Sequence, residues 1–204
     1  MKPNIPDFYN SLDKTYLKIW KLLEVGLQNR DAPFHIPVFI CLNDSSADGR
    51  VVVLRGVSKE DKNLWFHTDI RSRKIKALKN NPIGTLLFYD KGEKVQLRII
   101  GKTKVNYKNA TTKKSWASTR HMSRQCYLGE KAPGSKVSSP TSGLTEKIDN
   151  YKYSIEDSEI GYESFCVVEF FIQSIEWLYL AAKGHRRAYF NVKKSSVEKN
   201  WLIP

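Results

Sequence analysis

Cysteine is scarce in this chain: Cys41, Cys126 and Cys166 are the three among 204 residues, far apart and odd in number. No CxxC or CxxH spacing exists, which argues against a disulfide framework and against a zinc site. Cys41 and Cys166 lie in apolar runs, where a thiol packs as a small, inert hydrophobe. The histidines at 35, 67, 121 and 185 make no HExxH-like pair. GxGxxG and Walker-type glycine loops are missing, so Rossmann and P-loop nucleotide sites are disfavoured. No apolar signal core opens the chain. The longest apolar region, 165–182, is interrupted by Glu169, Gln173 and Glu176, too polar for a membrane span. These absences lead to the expectation of a cytoplasmic protein with no metal site and no membrane partner.

What is present permits a sizeable core. The hydrophobic fraction is 41% and the aromatic fraction 12%, and 204 residues suit one domain over 1–204. The formal net charge of +13 favours anionic partners: nucleic acid, a membrane surface or phosphorylated ligands. The charge is spread along the chain, so a soluble basic surface explains most of it. No nucleic-acid motif or aromatic-basic repeat is recognisable, which makes nucleic acid an unfavoured partner.

Residues 7–29 read as an amphipathic helix, with Leu12, Tyr16, Ile19, Trp20, Leu23 and Leu27 at helical spacing. Strand-like runs follow at 37–43, 50–57, 64–69, 83–90 and 94–106, with DSSADG (44–49) as a turn. A short helix over about 72–81 interrupts them and stops at Asn80-Asn81-Pro82. A helix over 108–122, a loop over 123–143 and a helix over 144–156 are expected next. A C-terminal β segment, about 164–204, closes the chain with strands at 164–180 and 186–192, then a polar turn and WLIP. Many short strands with few helices predict a mainly β fold with flanking helices, a closed or half-closed barrel.

The stretch 50–74 concentrates the candidate chemistry. Arg50 and Arg55 bracket Val51, Val52, Val53 and Leu54. In an unbroken strand, side chains five apart face opposite ways, so the two arginines could not both reach one anion without a twist or bulge. Ser72 is a favoured helix N-cap, and Arg73 and Lys74 put two cations in the first turn, against the helix dipole. A bound anion relieves that mismatch, and a phosphate monoester suits this set. An ordinary basic helix face and solvated strand-end arginines are the plain alternatives. Gln96, which shares a strand face with Arg98, offers a donor and an acceptor to a heterocycle edge, or merely faces solvent. His185, Arg186 and Arg187 follow a KG turn; a cation there could stabilise a reduced flavin-like ring, or form a solvated basic turn.

Taken together, RVVVLR (50–55), FHT (66–68), SRK (72–74), NNP (80–82), VQLRIIGK (95–102), SIEWL (174–178), HRR (185–187) and the terminal WLIP resemble motifs of the pyridoxamine 5′-phosphate oxidase family of FMN-binding split β-barrels, in the family's order. The resemblance implies FMN as cofactor, a homodimer with FMN at the subunit interface, and oxidoreduction of a small-molecule substrate. It implies that Arg50, Ser72, Arg73 and Lys74 surround the FMN phosphate. The backbone of 51–55, with His67 and Thr68, would line the ring and ribityl chain; Gln96 would reach in from the partner, and Arg187 would meet the ring edge.

The departures bear on substrate. Arg55 stands where the oxidase has lysine, and His67 where it has tyrosine. Leu178 falls near the family's flavin-contacting tryptophan, one residue from Trp177, and Val137-Ser138 replaces a glutamine-serine pair. The tyrosine, arginine and serine that hold the substrate phosphate fall near Ser115, Thr119 and Ser123; a one-residue shift would bring in Trp116 and Arg120. Arg120 and His185 are therefore the candidate substrate contacts. The direct register predicts weak or absent oxidation of pyridoxamine 5′-phosphate. A genuine pyridoxamine phosphate oxidase and a non-catalytic flavin-binding protein are the alternatives.

Overall fold

A computed structural model of the chain describes residues 5–44, 46–182 and 184–204. Helix α1 (Leu12–Gln28) starts at Ser11, whose hydroxyl accepts the Lys14 backbone N–H at 3.3 Å. It buries Ile19, Trp20, Leu22 and Leu23. It is shorter than the 7–29 expected, because residues 7–10 form a turn instead.

The strands are β1 (Val38–Asn43), β2 (Ser46–Val51), β3 (Leu54–Ser58), β4 (Asn63–Asp69), β5 (Ile83–Asp90), β6 (Val95–Asn106), β7 (Phe165–Tyr179), β8 (Arg186–Val192) and β9 (Val197–Leu202). Helix α2 (Arg73–Asn80) lies between β4 and β5. Helices α3 (Ala110–Ala117), α4 (His121–Arg124) and α5 (Glu146–Asp149) fill the region between β6 and β7. Among the described residues the strands make one antiparallel sheet, ordered β2-β1-β5-β6-β7-β4-β3, with β8 and β9 branching from β7.

Two features make this a split barrel. The first is β7, with 15 residues, longer than any single partner. One of its edges pairs with β6 over Val167–Tyr179. The other pairs with β4 over Phe165–Phe171 and with β8 over Ser174–Tyr179. The second is the β2–β3 junction. These strands end the path at opposite edges, yet only Val52 and Val53 separate them. A chain that short spans about 11 Å at most between Val51 and Leu54, so the edges meet at that corner without pairing. The sheet curls back on itself and stays open along this seam.

Several local expectations are corrected. The run 50–57 is not one strand; it breaks at Val52–Val53. The described part of the 44–49 turn includes Ser46–Gly49 of β2, which pairs with β1 from Asn43↔Ser46 onward. Its polar composition reflects an exposed edge strand, not a turn. The 108–122 helix stops at Ala117, since Ser118 and Thr119 fold their hydroxyls back onto the Ser115 carbonyl. The 144–156 helix shrinks to Glu146–Asp149, followed by a 3-10 segment over Asp157–Ser164. Trp201 and Leu202 of WLIP belong to β9. Lys183 of the KG turn lies outside the described residues, as does Ser45 of DSSADG.

The core fills the curl with Trp20, Phe34, Phe39, Phe66, Phe88, Phe170, Trp177 and Phe190. A smaller cluster of Trp116, Phe165 and Val167, with Tyr127 and Tyr162 against it, seats α3 on β7. Burying such rings contributes about 1.5–3 kcal/mol each, before the entropy of ordering the chain.

Candidate functional site

Arg50 enters from the open edge. It lies opposite Phe39, which lies opposite Leu86, and Leu86 opposite Ile99. Phe39, Leu86 and Ile99 are all buried, so Arg50 shares the inward face. Its guanidinium pairs with Asp48, donates to Cys41 Sγ at 3.2 Å and stands 6.0 Å from the Phe39 ring centre.

Lys74 approaches the same place from α2. Its ammonium donates to Thr68 Oγ1 at 2.8 Å and to Ser72 Oγ at 3.3 Å. Burial first, and then the charge of Arg50, push its pKa below the usual lysine value. Ser72 does not cap α2 with its side chain, contrary to expectation; its hydroxyl donates to the Asp69 carbonyl at 2.7 Å. Arg73 is exposed at the start of α2 and makes no ion pair among the described residues. The structure thus joins Arg50, Thr68, Ser72 and Lys74 into one group at the α2 N-terminus. Two cations share a site with one carboxylate, and the desolvated ammonium faces only hydroxyls. That donor set fits a phosphate monoester, which would relieve the repulsion and accept from Lys74, Arg50 and the α2 amides.

A second cleft, about 220 Å³, opens beside it. The bulge between Leu54 and Gly56 leaves Arg55 outside the β3–β4 pairing, and this lets its side chain join the cleft wall. Arg50 and Arg55 are not brought to one anion: the break at Val52–Val53 and this bulge leave Arg50 beside Lys74 and Arg55 in the separate cleft. Val51 is exposed, Val52 and Leu54 are buried, and Val53 lies outside both ladders. His67 lines the cleft too, edge-on to Phe165 at 4.8 Å, with Nε2 buried and unpartnered. Burial, and secondarily the charge of Arg55, lower its pKa to about 4, so the ring is neutral at pH 7.

Arg120, Thr119 and Ser123 form the opposite sequence contribution to this cleft. Ser115 does not line it, and Trp116 is buried in the small cluster with Nε1 donating to Glu159 at 2.9 Å. The one-residue shift is thus half realised: Arg120 arrives and Trp116 does not. Arg124 fixes this corner, buried over the Trp116 ring at 4.5 Å, donating to the Trp116 carbonyl and paired with Glu159. Arg30 and His35 also line the cleft, and sequence reasoning missed both. Arg30 follows the end of α1, where a cation is ordinary helix chemistry. His35 sits in a 3-10 turn, its Nδ1 donating to the Gly26 carbonyl at 2.7 Å.

Gln96, His185 and Arg187 do not join either group. Gln96 lies opposite Leu178, which lies opposite Arg187, on the face away from Phe39 and Ile99. Arg187 donates to Glu176 at 2.8 and 3.1 Å, and Arg98 donates to the same carboxylate at 2.6 Å. His185 is exposed at the edge of a shallow pocket with Trp201 and Leu202. Trp177 is wholly buried, so of the pair 177–178 it is Leu178 that lies beside Gln96, with Tyr89 on its other side. Val137 lines a separate pocket in the 123–143 loop, which Arg71 anchors by donating to the Gly129 carbonyl at 3.0 Å.

Comparison with known proteins shows what the chain is similar to. Residues 19–107 match the family model described as pyridoxamine 5′-phosphate oxidase, FMN-binding domain. A curated relative, pyridoxine/pyridoxamine 5′-phosphate oxidase 2 of Arabidopsis thaliana, is 25% identical over 92% of this chain and 96% of its own. Two solved structures share the fold. The pyridoxamine 5′-phosphate oxidase-related, FMN-binding protein of Nostoc punctiforme has a TM-score of 0.70 at 15% identity, over 98% of this chain and 99% of its own. PhzG of Burkholderia lata, solved with tetrahydrophenazine-1-carboxylic acid, has a TM-score of 0.72 at 16% identity, over 98% of both chains. The fold derived above is the one these two structures share. No helix among the described residues is long and apolar enough to cross a membrane.

Proposed function

We propose that this chain binds FMN and uses it to oxidise or reduce a small anionic molecule. The observation that carries the reading is the convergence of Arg50, Thr68, Ser72 and Lys74 at the α2 N-terminus. When bound, FMN supplies hydride acceptance and onward electron transfer. Lys74 and Arg50 hold its phosphate, with the exposed Arg73 able to close over it. The backbone of Val51, Val52, Val53 and Leu54 would line the ring. His67, neutral at pH 7, offers the cleft a hydrogen bond without a permanent charge.

Gln96 and Arg187 face away from that group, so they serve a second copy's flavin in a homodimer. Their sheet face exposes Ile83, Tyr89 and Ile100, apolar area that a partner would cover. Light scattering of the FMN-loaded protein should give a dimer; a monomer at high and low micromolar concentration overturns this part. FMN titration tests the main reading, with mass identification of any chromophore released on purification. A protein that binds no FMN at micromolar concentration refutes it.

Oxidation of pyridoxamine 5′-phosphate is the second reading, favoured by one observation. Arg55, Arg120, Thr119 and Ser123 line one cleft, so the phosphate-binding cation expected to be lost has a replacement, though the aromatic ring does not. Oxygen consumption with pyridoxamine 5′-phosphate separates the readings. A specificity constant of about 10⁴ M⁻¹s⁻¹ or more would establish the vitamin reaction.

A further inference from the structure

Arg50, Arg71, Arg98, Arg124 and Arg187 each hold a carboxylate. Arg30, Arg55, Arg73, Arg120 and Arg186 hold none among the described residues, and three of these, Arg30, Arg55 and Arg120, line the 220 Å³ cleft. No aspartate or glutamate lines it. The three come from separate elements: the end of α1, the β3 bulge and the N-terminal cap of α4. Arg30 and Arg120 are exposed and Arg55 is half-buried, so solvent screens part of their mutual repulsion, and a ligand of matching charge would relieve the rest.

The hydroxyls are unevenly placed. Thr119 and Ser123 flank Arg120, and the Ser123 N–H bonds the Arg120 carbonyl at 2.8 Å. The Thr119 hydroxyl is spent on the Ser115 carbonyl, so this side, with Arg55, offers two guanidiniums and the Ser123 hydroxyl as the donors of a phosphate subsite. The α1 side offers Arg30, Gln28 and the His35 ring, held by its bond to Gly26, without a hydroxyl. A guanidinium fork with few other donors suits a planar carboxylate. We propose that the substrate carries two separate acidic groups, a phosphate and a carboxylate, and that Arg30 selects for the carboxylate. The inference rests on the proposed function, because the cleft is taken as the substrate side of an FMN site.

The test uses FMN-loaded protein and two matched probes, glycerol 3-phosphate and 3-phosphoglycerate, which differ in a hydroxymethyl against a carboxylate. Titration calorimetry should find 3-phosphoglycerate bound about 10- to 100-fold more tightly, the worth of one charge-assisted contact. Arg30→Ala should abolish that ratio while FMN affinity stays unchanged, and Arg30→Lys should restore part of it. Equal affinities in the wild type, or a ratio that survives Arg30→Ala, overturn the proposal and leave the FMN reading standing. Failure to bind FMN removes both. Loss of FMN affinity in Arg30→Ala assigns the residue to structure and also overturns the proposal.

Discussion

Lys74→Met separates the role of the ammonium in the empty protein from its role with a phosphate bound. In the empty protein Lys74 is desolvated and repelled by Arg50, which is why its pKa falls. Methionine removes that strain at similar volume and gives up the bonds to Thr68 and Ser72. These effects offset, so the melting temperature without ligand should hold or rise. With FMN bound, the substitution removes a charge-assisted contact of about 1.5–3 kcal/mol, or roughly 30-fold in affinity at the middle of the range. At a concentration 100 times the wild-type dissociation constant, FMN stabilises the wild type by about 2.7 kcal/mol. After a 30-fold loss the same concentration contributes about 1 kcal/mol. For a domain of this size the FMN-induced rise in melting temperature should shrink from about 5–10 °C to about 2–4 °C. Thermal scanning with and without FMN reads both quantities. An unchanged FMN-induced rise in Lys74→Met would refute the phosphate assignment. A fall in the ligand-free melting temperature of more than a few degrees would refute the strain argument.

Other outcomes follow from single residues. His67 titrates near 4 in the folded state against 6.5 unfolded, so as pH falls the unfolded chain takes the proton first; stability should drop by about 2 kcal/mol from pH 7 to 5, and His67→Gln should remove that part of the slope in urea titrations at the two pH values. Gly101→Ala would put a Cβ 2.5 Å from the Phe171 carbonyl and the Phe170 ring, so it should cost about 1–3 kcal/mol, whereas Gly49→Ala, with nothing nearer than 3.6 Å, should stay within about 0.5 kcal/mol by urea denaturation. Glu176→Gln leaves Arg98 and Arg187 facing each other without their shared carboxylate; because both are partly exposed, the loss should be about 1 kcal/mol and should shrink in 1 M salt.

The sequence by itself determined the elements whose signal is local. The periodicity of Ile19, Trp20 and Leu23 specified the buried stripe of α1, and the alternation of Val95, Leu97 and Ile99 against Gln96 and Arg98 specified the faces of β6. The motif order from Arg50 to Lys74 carried the family resemblance and named Arg50, Ser72 and Lys74, which meet at the α2 N-terminus because they lie on adjoining elements. Tertiary structure decided what depends on distant contacts. Whether 50–57 bends could not be read from four apolar residues in a row; the break follows from β2 and β3 pairing with different strands at opposite edges of the sheet. Whether Arg120 or Trp116 faces the cleft depended on Arg124 and Glu159 drawing the indole into its own cluster. Arg30 and His35 carried no local mark, since a cation after a helix and a histidine in a turn satisfy their surroundings in any fold. Only the curling of the sheet brings the end of α1 against the β3 bulge, and with it Arg30 into one cleft with Arg55 and Arg120.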